Sequence, residues 1–245
     1  LLAVGKRDVE GVQRHRNQRV VPKQPHQIDD AGFSELRQRL AIGRVANSVV
    51  TVKLGREFVD DPLRVTETGY QYVLKAPPLE SRASDRLAYF LKFLEYPDEM
   101  ISADAFNELA SAEYKHIVPL AENFPRDKLR KWLANPDFTN PRLGMFSLLL
   151  GLCGSDEDAQ LLARHIATPT KEFRLGIDGM IAGYLLLTGE KGLDFIDDKK
   201  LKDTSGPTTE LFSAMQALRF VWTYGDGRIK KERLKQSMRI LVDRA

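Results

Sequence analysis

The sequence predicts an all-α fold, an alpha-solenoid of stacked antiparallel helix pairs, and three observations predict it. The stretch RLGMFSLLLGLCGSDEDAQLL at 142–162 is answered by RLGIDGMIAGYLLLTGEKGLDFI at 174–196. Both open on Arg-Leu-Gly, run through an apolar block, stop at a glycine beside acidic residues and resume as amphipathic sequence. Gly154, Gly189 and Gly225 each close such a block, at intervals of 35 and 36 residues. A helix pair recurring at that period cannot bury its own apolar face and must stack on a neighbour. From about residue 82, finally, the breaks between helical runs are short and carry Pro, Gly, Asn and Asp.

The elements follow in order. Leu87, Phe90, Leu91 and Leu94 lie at helical spacing, and Tyr96-Pro97-Asp98 stops that run. Ile101, Ala105, Phe106 and Leu109 mark a second helix. Further helices are expected at about 115–123, 126–134, 141–152, 156–167, 171–188, 190–200, 208–224 and 230–243. Gly154, Gly189 and Gly225 suit the left-handed position just past a helix C-terminus. Gly176, Gly179 and Gly183 form a small-residue stripe that lets a neighbouring helix pack closely.

Residues 1–75 read differently. Apolar spacing is irregular, and Pro22 and Pro25 interrupt it. Residues 33–42 suit a short helix, and 47–59 alternate as a strand or hairpin arm. We therefore divide the chain into an irregular N-terminal segment, 1–75, either poorly structured or a partial, β-containing remnant of another domain, and a helical repeat domain, 76–245. The first residue is Leu1, and Ala245 ends an amphipathic pattern abruptly, so the chain reads as cut at both ends.

Composition narrows the function classes. The net charge is +3, and residues 1–75 hold the basic excess, 13 Lys and Arg against 9 Asp and Glu. That density falls short of a nucleic-acid footprint, so no nucleic-acid partner is expected. No apolar run reaches the roughly 18 to 20 residues of a membrane span. The one cysteine, Cys153, rules out an internal disulfide. At the end of an apolar helix it reads as a small buried hydrophobe.

The repeats can be named more closely. LANPDFTNPRLGMFSLLLGL ends a helix, turns on Pro-Asp and opens the next helix with Arg; IATPTKEFRLGIDGMIAGYLLL repeats the plan. FLEYPDEMISADAFNELA is a version with Asp104 in the arginine's place. This pattern resembles the HEAT-type repeat. From about Tyr72 onward the chain also resembles an uncharacterised family of bacterial HEAT-like proteins, through ADAFNELASAEYKHI, KLRKWL, RLGMFSLLLGLCG and GIDGMIAGYLLL. That resemblance implies a helical repeat domain behind an exported β-rich domain with a Cys-Pro-x-Cys start. It implies an extracytoplasmic location and no activity. The Cys-Pro-x-Cys start is missing from this sequence, and no signal peptide is present in it.

Candidate chemistry is sparse. Asp178 is a carboxylate inside GIDGMIAGYLLL, costly to bury without a partner. Arg174 stands one turn earlier, and Arg142 occupies the matching place in the preceding repeat. These three are expected to form an ion pair joining adjacent repeats or, alternatively, a polar groove for a small ligand. His116 and His165 have no His-x-x-x-His or Glu-x-x-His spacing, so no metal is expected. Phe220, Trp222 and Tyr224 line a groove or enter the core. No nucleophile elbow, Walker loop or dinucleotide fingerprint is present, so no cofactor is expected. The expectation is a non-catalytic scaffold for a protein partner. The alternative is an accessory or regulatory domain binding a small ligand near Asp178. Partner identity and oligomeric state stay open.

Overall fold

A computed structural model of the chain describes residues 66–135, 142–171 and 174–243, with the backbone of 41–42, 52–54 and 57–58. Eleven α-helices account for most of the described residues. They are α1 (Glu67–Lys75), α2 (Ala83–Phe90), α3 (Glu99–Ala110), α4 (Tyr114–Ile117), α5 (Arg126–Ala134), α6 (Arg142–Cys153), α7 (Asp156–Ala167), α8 (Ile177–Thr188), α9 (Glu190–Ile196), α10 (Thr208–Tyr224) and α11 (Lys231–Asp243). Helix α4 runs on as a 3₁₀ turn over Val118–Asn123, and α9 as a π turn over Asp197–Leu201. From residue 66 onward the regular structure described is all helical, as the periodicity predicts. Among the described residues, no helix is long and apolar enough to cross a membrane.

Three strand segments, β1 (Ala41–Ile42), β2 (Val52–Leu54) and β3 (Glu57–Phe58), pair antiparallel in that order. Ala41 lies opposite Lys53, and Lys53 opposite Phe58. Strands β2 and β3 fall within the expected hairpin arm, 47–59. The helix expected over 33–42 lies outside the described residues except for its last two, which form β1.

The helical body starts earlier than the division at 75/76. Thr66 caps α1, its hydroxyl accepting from the Gly69 amide at 3.0 Å. The Tyr72 ring packs with Tyr89, Phe90 and Phe93, and its hydroxyl donates to Asp104 on α3 at 2.5 Å. One apolar core then runs from Tyr72 through Phe90, Leu129, Phe146, Leu162, Ile181 and Leu218 to Leu234. Irregular spacing around Gly69 conceals this first helix in the sequence.

The centre of the body is the contact of α6 with α8. A Cβ placed on Gly144 would stand 2.9 Å from the Gly176 Cα, and one on Gly179 only 2.4 Å from the Gly144 carbonyl oxygen. Further along, a Cβ on Gly183 would meet the Ser147 carbonyl at 2.2 Å, and one on Gly151 the Gly183 Cα at 2.5 Å. Positions rise together on both helices, so α6 and α8 run parallel with their backbones touching. The small-residue stripe read from the sequence is this interface. Helix α8 packs in turn on α10.

Two expectations about glycine need correction. Gly189 has a positive φ of 60°, which favours glycine, but its ψ of −142° is not that of the left-handed helix, Gly225 has φ −73°, and Gly154 is not positive either. At both, the amide donates to the carbonyl four residues back, at 2.7 Å for Gly154 and 2.8 Å for Gly225. A Cβ there would stand 2.6 and 2.4 Å from that same oxygen. Room for the bending chain, rather than a left-handed φ, is what these glycines supply. The second correction concerns α8, which begins at Ile177, not near 171. Gly176, at φ 84°, sets its start.

Candidate functional site

The late start of α8 separates the three residues expected to act together. Arg174 is no longer one turn before Asp178 on a shared helix; it lies in the connection ahead of α8. Its Nε donates to Glu210 in the first turn of α10. Its Nη1 donates to the His165 carbonyl at 2.6 Å, and its Nη2 more weakly to that of Ile166 at 3.4 Å. One guanidinium thus closes the C-terminus of α7, where unpaired carbonyls gather, and holds the N-terminus of α10.

Arg142 pairs instead with Glu95, and its guanidinium lies 5.4 Å from the Phe106 ring centroid. Glu95 has a φ of 55°, a left-handed backbone uncommon for a non-glycine residue. Asp178 is exposed in the first turn of α8 and pairs with no cation among the described residues. A carboxylate at a helix N-terminus is favoured by the unpaired amides there, so it needs no arginine. The expected ion pair between Asp178 and Arg174 or Arg142 is therefore not formed.

The buried carboxylates are others. Asp158 has no exposed side-chain surface and takes Arg126 Nε at 3.0 Å, Arg130 Nε at 2.6 Å and the Ser155 amide at 2.9 Å. Burial pushes its pKa up, but the hydrogen bonds from Arg130, the Ser155 amide and Arg126 outweigh that and hold it at about 2. Glu210 accepts from Lys200 Nζ at 2.5 Å as well as from Arg174. Burial opposes its ionisation too, and the two cations still bring its pKa below the usual range. Asp197 takes Arg233 at 2.7 Å, while its second oxygen is buried with no partner.

The π turn explains how Asp197 and Lys200 serve different neighbours. The Lys202 amide reaches back five residues to the Asp197 carbonyl at 2.8 Å, which widens the turn. Asp197 then faces Arg233 on α11 and Lys200 faces Glu210 on α10. Each cluster spans two or more helices: α5 to α7, the π turn to α11, and the connection before α8 to α10.

Sequence reasoning missed Asp158, although a signal was present. Ser155-x-x-Asp158 has the spacing of a helix-capping pair, and Arg126 and Arg130 lie one turn apart on α5. Glu210 and Asp197 carried no comparable mark. Of the other candidates, His165 is half-buried, and burial together with the Arg164 and Arg174 charges lowers its pKa. Cys153 sits at the end of α6, where burial raises its thiol to about 11. Phe220 packs with Tyr114 and Tyr224, at centroid distances of 5.0 and 5.2 Å. Among the described residues, no group of three or more His, Cys, Asp and Glu side chains is placed to hold a metal ion.

The chain matches no family model, no curated protein and no solved structure.

Proposed function

We propose that the chain is a non-catalytic scaffold for a protein partner, built as a HEAT-like alpha-solenoid of stacked helix pairs. The observation that carries this reading is the parallel contact of α6 with α8. These helices open two successive pairs, and a repeat that stacks on its neighbour must run in the same direction as that neighbour. The next pair, α10 with α11, continues the series through the packing of α8 on α10. The interior charges agree with a structural use: Asp158, Asp197 and Glu210 are each engaged by cations from other elements. Such stacks offer long surfaces for a partner.

The second reading, a small ligand held near Asp178, draws on that residue's exposure. Arg174 and Arg142, which would complete a polar groove, are engaged elsewhere. The scaffold reading is therefore preferred.

The test is a photoreactive residue at Phe212 or Met215, both exposed on α10, in the chain expressed in its source cells. A protein crosslinked there should be purified and titrated against the chain by calorimetry. A saturable complex of fixed stoichiometry is the expected result. Absence of any such complex would remove the scaffold reading. Saturable binding of a small metabolite lost in Asp178→Asn would favour the second.

A further inference from the structure

Between Arg219 and Arg239 the sequence places seven basic residues against two acidic ones, Asp226 and Glu232. The fold sorts them into two groups. Arg233 is tied to Asp194 and Asp197, and Arg228 gives its Nη1 to the Leu186 carbonyl at 2.7 Å. Arg219, Lys230, Lys231, Lys235 and Arg239 are exposed, and none forms an ion pair with a described residue.

Three of the free cations make a row. Lys231, Lys235 and Arg239 recur at every fourth position of α11, so they share one face and span about 12 Å. Like charges at this spacing repel. At one end of the row, the Lys231 and Lys235 ammonium groups lie 5.2 and 5.9 Å from the Trp222 ring centroid on α10. The indole attracts both and holds that end of the row against α10. Beyond that contact with the indole, the row has no acidic partner among the described residues. An anionic partner would offset the repulsion.

We propose that this face of α11, with Trp222 at its edge, docks an extended acidic segment of a partner protein. The proposal rests on the scaffold reading and names the partner's chemistry. Cations on every fourth helical position stand about 6 Å apart along the axis, and alternate residues of an extended strand about 6.7 Å apart. A segment with carboxylates at alternate positions therefore matches the row. A nucleic acid fits less well. Strong phosphate binding draws on a broad basic surface with roughly six or more contacts, and both ammonium groups over Trp222 occupy the ring that a base would stack on.

Fluorescence anisotropy at low salt, with the full chain, tests this. The probes are a labelled alternating Glu-Thr peptide, its Gln-Thr counterpart, oligothymidylate, and phosphatidylserine vesicles read by co-sedimentation. The variants are Lys231→Gln/Lys235→Gln/Arg239→Gln and, as a charge-matched control, Lys128→Gln/Lys131→Gln/Lys171→Gln, whose residues are also exposed. The expected result is saturable binding of the Glu-Thr peptide alone, weakened about tenfold or more by the α11 substitutions and unchanged by the control. The α11 variant should stay folded and melt within a few degrees of the parent, because the repulsion it relieves and the contacts with Trp222 it loses are both small. Equal weakening by both variants, or no saturable binding, would overturn the proposal. So would tighter binding of oligothymidylate or vesicles through the same three residues. A crosslinked protein partner that binds parent and α11 variant equally would overturn this surface and leave the scaffold reading standing. Peptide binding through these residues with no protein partner found would do the converse.

Discussion

Gly179 faces the carbonyl of Gly144 so closely that a Cβ would stand 2.4 Å from that oxygen. The contact is between backbones, so no side-chain rotation can relieve an added atom. Gly179→Ala, and Gly183→Ala beside Ser147, should each cost about 1–3 kcal/mol through overpacking, and Gly179→Leu more. For a domain of this size, each kcal/mol should appear as about 2–4 °C in Tm. Gly206→Ala is the comparison, because its Cβ would meet only an Asp203 oxygen at 3.7 Å. Equal melting of all these variants would contradict the packing.

Asp158→Asn should be costly and its cost should depend on pH. Two arginines lose their shared counter-charge, a loss near the lower end of about 3–5 kcal/mol because both guanidiniums remain partly exposed. The folded pKa, about 2, lies below the unfolded value of about 3.9. The ionised carboxylate's contribution is therefore complete above about pH 4 and fades as the pH falls towards 2. Urea midpoints of parent and variant, measured from pH 7 downward, should converge on the acid side. A gap that stays constant would mean that ionisation of Asp158 is not its source.

Asp178→Asn should change stability by less than about 1 kcal/mol, since it removes only an exposed charge from a helix N-terminus. Glu210→Gln, which strands Arg174 and Lys200, should cost about 3 kcal/mol. In double-mutant cycles, Glu95→Gln with Arg142→Gln should be non-additive, and Asp178→Asn with Arg142→Gln additive. The opposite pattern would restore the ion pair that the sequence suggested.

Cys153 should react slowly. With its thiol raised to about 11 by burial, about one molecule in ten thousand is thiolate at neutral pH. Alkylation by iodoacetamide should be much slower in the native chain than in urea. Equal rates would place the sulfur in solvent.

Limited proteolysis should leave a resistant fragment that retains Tyr72, because α1 is fixed through its ring and its hydroxyl. A resistant fragment starting after residue 76 would restore the division read from the sequence.

What the sequence conveyed, and what it concealed, follows from the range of each interaction. Apolar periodicity and turn residues act within a few positions, so helices such as 126–134 and 156–167 were legible almost to the residue. Gly176, Gly179 and Gly183 advertised a close contact, because three small residues on one face have few other uses. Charge pairing is different. Arg174 meets Glu210 across 36 positions and Arg142 meets Glu95 across 47. Nothing local distinguishes those carboxylates from solvated ones. The placement of Asp178 failed for a narrower reason: a helix start displaced by about six residues moved it from a buried middle to an exposed first turn.

The interlocking of α6 and α8 also has a mechanical side. With each backbone seated in notches of the other, neither helix can slide lengthwise without driving Leu148, whose Cα lies 3.3 Å from the place of a Gly183 Cβ, into a space that only glycine fits. The pair has one register and no play, so a load applied along α6 passes to α8 without slack. Bending in this molecule is therefore left to the joints on either side, and a partner that pulls on one end would feel a stiff keel in the middle of the molecule.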